Sequence, residues 1–153
     1  MKKALLFSGQ GLQYVGMMKD LFDNSPLAKE MIKSADEILD FSLSDICFDG
    51  PIDVLKQTRY TQPAIFLHSA VLFELLKEKT EFSATAVHSV GEYAALYAAG
   101  VLSFESAIRL VALRGSLMFS AGEELPGTMF AIINLDDDKV EDVCNKLNDN
   151  PDG

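Results

Sequence analysis

Ser89 is the residue whose surroundings most clearly suggest chemistry. It stands in Val87-His88-Ser89-Val90-Gly91-Glu92, between a short apolar run and an alanine-rich stretch. Ala84-Thr85-Ala86-Val87 reads as a buried strand, and Glu92-Tyr93-Ala94-Ala95-Leu96-Tyr97-Ala98-Ala99 reads as a helix. A serine on a strand-to-helix turn occupies an exposed, strained corner beside the free N–H groups of a helix start. That geometry suits a nucleophile whose tetrahedral intermediate needs backbone donors. The G-x-S-x-G elbow is incomplete here, because Val87 stands where its first glycine belongs, while His88 and Gly91 fill neighbouring positions. A β-branched side chain at that point predicts crowding that pushes the serine off its corner. The competing reading is that Ser89 simply caps the helix. A short motif by itself does not decide between them.

Two further positions bear on that choice. In Phe7-Ser8-Gly9-Gln10-Gly11-Leu12-Gln13, glycines flank Gln10 and let the backbone come close to a neighbour or ligand. Tyr14 occupies the third glycine position of G-x-G-x-x-G, which excludes a dinucleotide fingerprint. The segment is then either an ordinary turn or an oxyanion site in which the N–H of Gln10 joins that of Val90. Arg114 shares a helical register with Ala107, Leu110, Val111, Leu117 and Met118, so a guanidinium interrupts an apolar face. A buried unpaired charge is costly, which predicts a carboxylate partner. That partner is either internal or a substrate carboxylate held bidentately, unless the side chain snorkels to water. Spacing alone leaves these open.

A base for Ser89 is harder to find. His88 directly precedes the serine, and its side chain is expected to point away. His68 lies within an apolar helix, where a packed histidine is expected. Without a base, a serine hydroxyl is a weak nucleophile at neutral pH. Cys47 and Cys144 are far apart with no C-x-x-C and no histidine cluster, so neither a disulfide nor a metal site is expected. Cys144 falls on a stripe with Val140, Val143 and Leu147, which predicts core packing.

These residues must be positioned by surrounding elements. Lys3 to Ser8 reads as a buried strand stopping at Gly9-Gln10-Gly11. Ser25-Pro26 starts a helix, with Leu27, Met31, Ala35, Ile38 and Leu39 as its apolar face. Asp49-Gly50-Pro51 is a turn. Thr61-Gln62-Pro63 opens a helix that is apolar nearly all round from Ala64 to Leu76, hence buried and central. The strand at 84–88 and the helix after Ser89 follow, closed by Gly100. Ser103 caps the next helix, on which Glu105 and Arg109 form an exposed i,i+4 pair. Gly122-Glu123-Glu124-Leu125-Pro126-Gly127 reads as a linker. Thr128 to Asn134 is expected as a strand, and Asp136 as the cap of a helix running to about Leu147. One strand with one helix cannot bury enough surface alone, so the chain is expected to end inside a subdomain.

Composition narrows the function classes. The chain has 153 residues, 48% of them hydrophobic, enough for a real core, and a formal net charge of −10. That charge argues against nucleic acid or an anionic membrane as partner. Met1-Lys2-Lys3-Ala4-Leu5-Leu6-Phe7 is too short for a signal-peptide core. No stretch is long and apolar enough to span a bilayer, so a cytoplasmic protein is expected.

Taken together, four ordered segments resemble the malonyl-CoA:acyl-carrier-protein transacylase family and the related acyltransferase domains of polyketide and fatty acid synthases. They are Phe7-Ser8-Gly9-Gln10-Gly11-Leu12-Gln13, Thr61-Gln62-Pro63-Ala64, His88-Ser89-Val90-Gly91-Glu92-Tyr93-Ala94-Ala95-Leu96 and Leu110-Val111-Ala112-Leu113-Arg114-Gly115. The resemblance covers nearly the whole chain but only the family's N-terminal half. It implies an α/β fold: an α/β-hydrolase-like acyltransferase large subdomain, partial, over 1–126, plus the truncated start of a ferredoxin-like small subdomain over 127–153. It further implies Ser89 as nucleophile, Gln10 and Val90 as oxyanion-hole amides, Arg114 as the site for a malonyl carboxylate, and His88 and Gly91 as elbow residues.

The family's general-base histidine falls in the half without a counterpart here. Where the family has glycine before His-Ser, either Val87 replaces it or the segment between Lys79 and His88 has lost residues. The expected partners are malonyl-CoA, the phosphopantetheine of an acyl carrier protein and the complementary C-terminal half. No cofactor and no metal are expected. The start at Met1 favours a free-standing enzyme over a synthase domain. A polyketide-type acyltransferase, a serine esterase and a non-catalytic split or remnant protein are the alternatives; Arg114 bears on the esterase, since an esterase of neutral acyl groups has no use for a cation there.

Overall fold

The computed structural model describes residues 2–125, 127 and 132–148. Strand β1 (Ala4–Phe7) is followed by five helices: α1 (Lys19–Asn24), α2 (Pro26–Leu39), α3 (Leu43–Asp49), α4 (Ile52–Leu55) and α5 (Thr58–Leu76). The chain then returns through strand β2 (Ala84–Val87) to α6 (Gly91–Ala98), α7 (Phe104–Glu124) and α8 (Asp137–Asn148). The two strands pair in parallel, with register running from Ala4↔Ala84 to Phe7↔Val87. Parallel neighbours need a long crossover, and the five helices supply it.

Local chemistry explains where the helices begin and end. The Ser25 hydroxyl accepts from the Ala28 N–H and Pro26 takes the first helical position of α2, while the Ser103 hydroxyl accepts from the Ser106 N–H at the start of α7. Gly100, at φ 72°, closes the turn after α6 with backbone that favours glycine. The centre of the core is α5, buried through Thr61–Leu67 and again at Ala70 and Val71, and packed along α7, α6 and α2.

Several expectations are corrected. On α2 the expected Met31, Ala35, Ile38 and Leu39 do face the core, joined by the fully buried Ala28 and Ile32, while Leu27 in the first turn stays 40% exposed. Helix α5 starts three residues earlier than Thr61, and its last turns open to solvent at Leu72 and Leu76. Strand β2 is exposed along its length rather than buried. Leu5 and Phe7 of β1 face the helices while Leu6, on the opposite face, is 79% exposed. Parallel sheets are stable with both faces covered, and the described residues cover one.

The segment expected as a linker is the end of α7, which runs on through Gly122 to Glu124. Of the strand expected over Thr128 to Asn134, residues 128–131 lie outside the described residues, and Ile132 to Asn134 are not strand. Cys144 is exposed rather than packed, since no residue of α8 is buried. The apolar stripe of α8 is real, but none of the described elements covers it.

Candidate active site

Because β1 and β2 run the same way, their carboxyl ends open on one side of the molecule, where open α/β sheets bind ligands. The His88 N–H donates to the Phe7 carbonyl at 3.1 Å and extends the ladder one step past the strands. Gln10 and Val90 each follow the paired Phe7 and Val87 by three residues, so the two loops deliver them side by side. Neither the Gln10 N–H nor the Val90 N–H donates to a group among the described residues. Two free backbone donors at one cavity are what a developing oxyanion requires.

Ser89 itself has φ 50°, in the left-handed region that a residue with a side chain rarely adopts. The plain helix-cap reading does not hold. Helix α6 takes Val90 as its N-cap and has no side-chain cap bond. Its first backbone bonds run from the Gly91 N–H to the His88 carbonyl at 3.0 Å and from the Glu92 N–H to the Ser89 carbonyl at 3.1 Å. The Ser89 hydroxyl is left free to meet something else.

Val87 does not push the serine off its corner. Its side chain is 49% exposed, outside the close contact between strand and helix. That contact falls on two other glycines. A Cβ on Gly91 would lie 2.5 Å from the Phe7 carbonyl oxygen, and a Cβ on Gly9 would lie 2.3 Å from Nδ1 of His88. The His88 ring is thus laid against Gly9.

A cavity of about 200 Å³ gathers Gln10, His88, Ser89, Val90 and Arg114 with three residues that sequence reasoning missed: Thr58, Gln62 and Met118. Arg114 reaches in from α7. Its Nη2 donates to Ser89 Oγ at 3.2 Å and its Nη1 to Gln62 Oε1 at 2.5 Å. Among the described residues no carboxylate pairs with it, so the internal salt bridge left open by spacing is not made. Gln62 is 1% exposed and its Nε2 donates to the Met118 sulfur at 3.2 Å. Thr58 Oγ1 accepts from Gln10 Nε2 at 3.2 Å and ties the β1 loop to the start of α5. Gly115 lets α7 approach that same turn, since a Cβ there would lie 2.8 Å from the Thr58 carbonyl oxygen. Gln62 lies in the polar opening of α5, within the Thr61-Gln62-Pro63-Ala64 segment, and its place in that segment was the sign that could have singled it out.

The other titratable candidates sit elsewhere. His68 lines a different cavity, with Phe7, Ser8 and Leu72. Burial lowers its pKa, opposed by the Asp20 charge, so it favours the neutral form. Burial, with Asp36 adding to it, pushes the Cys47 thiol up to about 12, as befits a core residue. Among the described residues no group of His, Cys, Asp and Glu could hold a metal ion, and no helix is long and apolar enough to cross a membrane.

A parallel strand pair ending in a serine elbow, with an arginine from a following helix on its hydroxyl, defines an α/β fold of the acyltransferase type. The match to known proteins agrees. The chain belongs to the acyl transferase domain family, whose model matches residues 4–151. It is 44% identical over 147 residues to the malonyl CoA-acyl carrier protein transacylase of Staphylococcus aureus strain MSSA476, covering 95% of this chain and 47% of that protein. The crystal structure of MCAT from Streptococcus pneumoniae superposes with a TM-score of 0.83 at 42% identity, covering 97% of this chain and 48% of that one. A malonyl-transacylase solved in complex with its type II polyketide acyl-carrier protein gives 0.84 at 37% identity, over 96% and 48%. The chain spans about half the length of the curated relatives it matches.

Proposed function

We propose that this chain carries the acyl-accepting part of a malonyl-CoA:acyl-carrier-protein transacylase of fatty acid synthesis. The observation that carries the reading is the Arg114 guanidinium, without a carboxylate partner among the described residues, bonded to Ser89 Oγ at 3.2 Å in the cavity where Gln10 and Val90 present free N–H groups. A cation poised on the nucleophile suits an acyl group that itself ends in a carboxylate.

On this reading Ser89 Oγ attacks the thioester carbonyl carbon of malonyl-CoA and its proton passes to a base. The carbonyl oxygen becomes an oxyanion held by the Gln10 and Val90 N–H groups. The carbon–sulfur bond breaks, coenzyme A leaves as a thiol with that proton, and malonyl remains on Ser89 as an ester. Arg114 turns its Nη groups from Ser89 Oγ to the malonyl carboxylate. The phosphopantetheine thiol of the carrier protein then attacks the ester, forms a new thioester and returns the proton to Ser89. No cofactor enters these steps.

On this reading neither histidine is the base: His68 lines another cavity, and His88, although it lines this one, has its ring against Gly9 and no hydrogen bond to Ser89 among the described residues. The base belongs to the portion of the relatives that these residues do not span, so the 153 residues alone turn over poorly and the complementary C-terminal half is a partner. Residues 1–126 are then part of the large α/β-hydrolase-like subdomain, and 127–153 the start of a ferredoxin-like one. A cytoplasmic location goes with this reading.

The test supplies the missing base from solution. The chain is incubated with malonyl-CoA or acetyl-CoA in the presence of imidazole, and acylation is read by intact mass and peptide mapping. Ser89 gains malonyl faster than acetyl, Ser89→Ala gains neither at that position, and Arg114→Ala loses the preference for malonyl. An adduct on another residue, or equal losses for both acyl groups in Arg114→Ala, overturns the reading. The second result favours a serine esterase on the same elbow.

A further inference from the structure

We propose that Gln62 is a positioning residue that sets acyl selectivity: its neutral amide fixes the Arg114 guanidinium in the cavity without neutralising it, leaving the carboxylate to come from the acyl group. The inference rests on the proposed transacylase reading and concerns the same cavity.

Gln62 is 1% exposed, and a buried side-chain amide must find partners for its oxygen and its nitrogen. It finds one for each. Oε1 accepts from Arg114 Nη1 at 2.5 Å, and Nε2 donates to the Met118 sulfur at 3.2 Å, one turn further along α7. The sulfur is a weak acceptor, so the amide is oriented with its oxygen toward the arginine at little competing cost. Because the Met118 sulfur accepts only, it defines which end of the amide faces Arg114.

The chemistry of the acceptor matters. A buried arginine is ordinarily met by Asp or Glu, and a fork-to-fork pair of that kind would satisfy the guanidinium and cancel its charge. An amide oxygen takes one N–H and cancels nothing. The remaining Nη2 is spent on Ser89 Oγ, a neutral group that the first chemical step consumes. Acylation therefore releases Arg114 donors at the moment a malonyl carboxylate arrives beside them. An acyl group ending in a methyl offers those donors no acceptor and leaves them unpaired, which is the side of the comparison that discriminates most strongly.

Packing makes the arrangement specific. Gly115 follows Arg114, and a Cβ there would meet the Thr58 carbonyl oxygen at 2.8 Å and Arg59 Cα at 3.1 Å. The glycine brings α7 close enough to α5 for Arg114 to reach both Gln62 and Ser89.

The experiment is the ratio of malonyl to acetyl transfer onto Ser89, measured with imidazole in the wild-type chain, Arg114→Ala, Gln62→Glu and Gln62→Met. Taking a ratio divides out any general loss of activity or folded protein, which a merely structural role would cause. Gln62→Glu, which supplies the missing internal carboxylate, lowers the ratio on the order of tenfold to a hundredfold, the range expected for hydrogen bonds to a charged group. Gln62→Met, close in volume but without the acceptor, lowers it by a smaller factor and decides the matter if Gln62→Glu does not fold. A wild-type preference that Arg114→Ala abolishes but both Gln62 variants keep overturns the role of Gln62 and leaves the transacylase reading standing. A wild-type chain with no preference for malonyl overturns both.

Discussion

Gly91→Ala removes no functional group, yet it should dismantle the elbow. The Cβ it adds would lie 2.5 Å from the Phe7 carbonyl oxygen, 2.9 Å from the Phe7 carbonyl carbon and 3.0 Å from the Ser8 carbonyl oxygen. Comfortable contacts fall at about 3.5–4.0 Å, so the start of α6 must retreat from β1 by roughly 1 Å. All three obstructing atoms are backbone, held by the β1–β2 ladder and by the bond from the His88 N–H to Phe7, so no side chain can rotate out of the way.

Overpacking of this sort costs about 1–3 kcal/mol, and rigid backbone obstruction places it at the upper end. Exchanging glycine for alanine in a helix returns up to about 1 kcal/mol, which leaves a net loss of about 2 kcal/mol. With a urea slope of about 1–3 kcal/mol per molar, the unfolding midpoint should fall by roughly 1 M at unchanged slope. Acylation of Ser89 should fall further than stability explains, because a displacement of about 1 Å at a reacting centre can cost on the order of a hundredfold. Gly122→Ala is the control. It lies in α7 with nothing within 4 Å of its added Cβ, and should gain about 0.5–1 kcal/mol. Equal behaviour of Gly91→Ala and Gly122→Ala in urea would refute the close-approach argument.

Other expectations follow from single observations. Ser25→Ala removes the hydroxyl that accepts from the Ala28 N–H and should cost about 1 kcal/mol by urea denaturation, with Ser25→Gly recovering most of it. One thiol of the native chain, exposed Cys144, should react readily with a disulfide reagent, while buried Cys47, its pKa pushed up to about 12, should react only after denaturant is added. Burial lowers the pKa of His68 below 6.5 in the folded chain, so the unfolded chain binds its proton first. The stability tied to that histidine is present above 6.5 and is lost as pH falls through the lowered folded value, a slope that His68→Gln should flatten in urea midpoints measured against pH.

What could be read in the sequence was what local chemistry decides. Ser25-Pro26 and Ser103 announce their helices because a hydroxyl acceptor and a proline each act within one turn. Ser89, Gln10, Val90 and Arg114 could be grouped as candidates because four ordered segments resemble one family, and the parallel strand ends with α7 do bring them to one cavity. Gln62 was hidden. Its bond to Arg114 joins positions 52 residues apart and exists only because α5 packs along α7. Thr58 and Met118 were missed for the same reason. Leu27 on α2 and Cys144 on α8 were misread. On α2 the expected Met31, Ile38 and Leu39 pack on the core beside Ala35, but Leu27, in the first turn, stays 40% exposed. On α8 an apolar stripe states that cover is wanted, and periodicity cannot supply the element that provides it.

Val87 illustrates how a missing motif residue can leave its geometry in place. The small residue of a nucleophile elbow exists so that strand, turn and helix can approach, and the requirement attaches to the contact rather than to one position in a pattern. Here the contacts are met by Gly9 against His88 and by Gly91 against Phe7, while Val87 sits partly in solvent, paired through backbone alone. Ser89 keeps its φ of 50°, a conformation that costs about 1–3 kcal/mol and persists only where its neighbours determine it from several sides. They do so from three: the ladder bond to Phe7 before it, the bond from the Gly91 N–H to the His88 carbonyl after it, and the Arg114 guanidinium on its hydroxyl. The first two fix the backbone and the third aims the side chain. Strain at Ser89 and the open charge on Arg114 are thus maintained by the same cavity, one by glycines that let the backbone close and the other by a glutamine that declines to neutralise it.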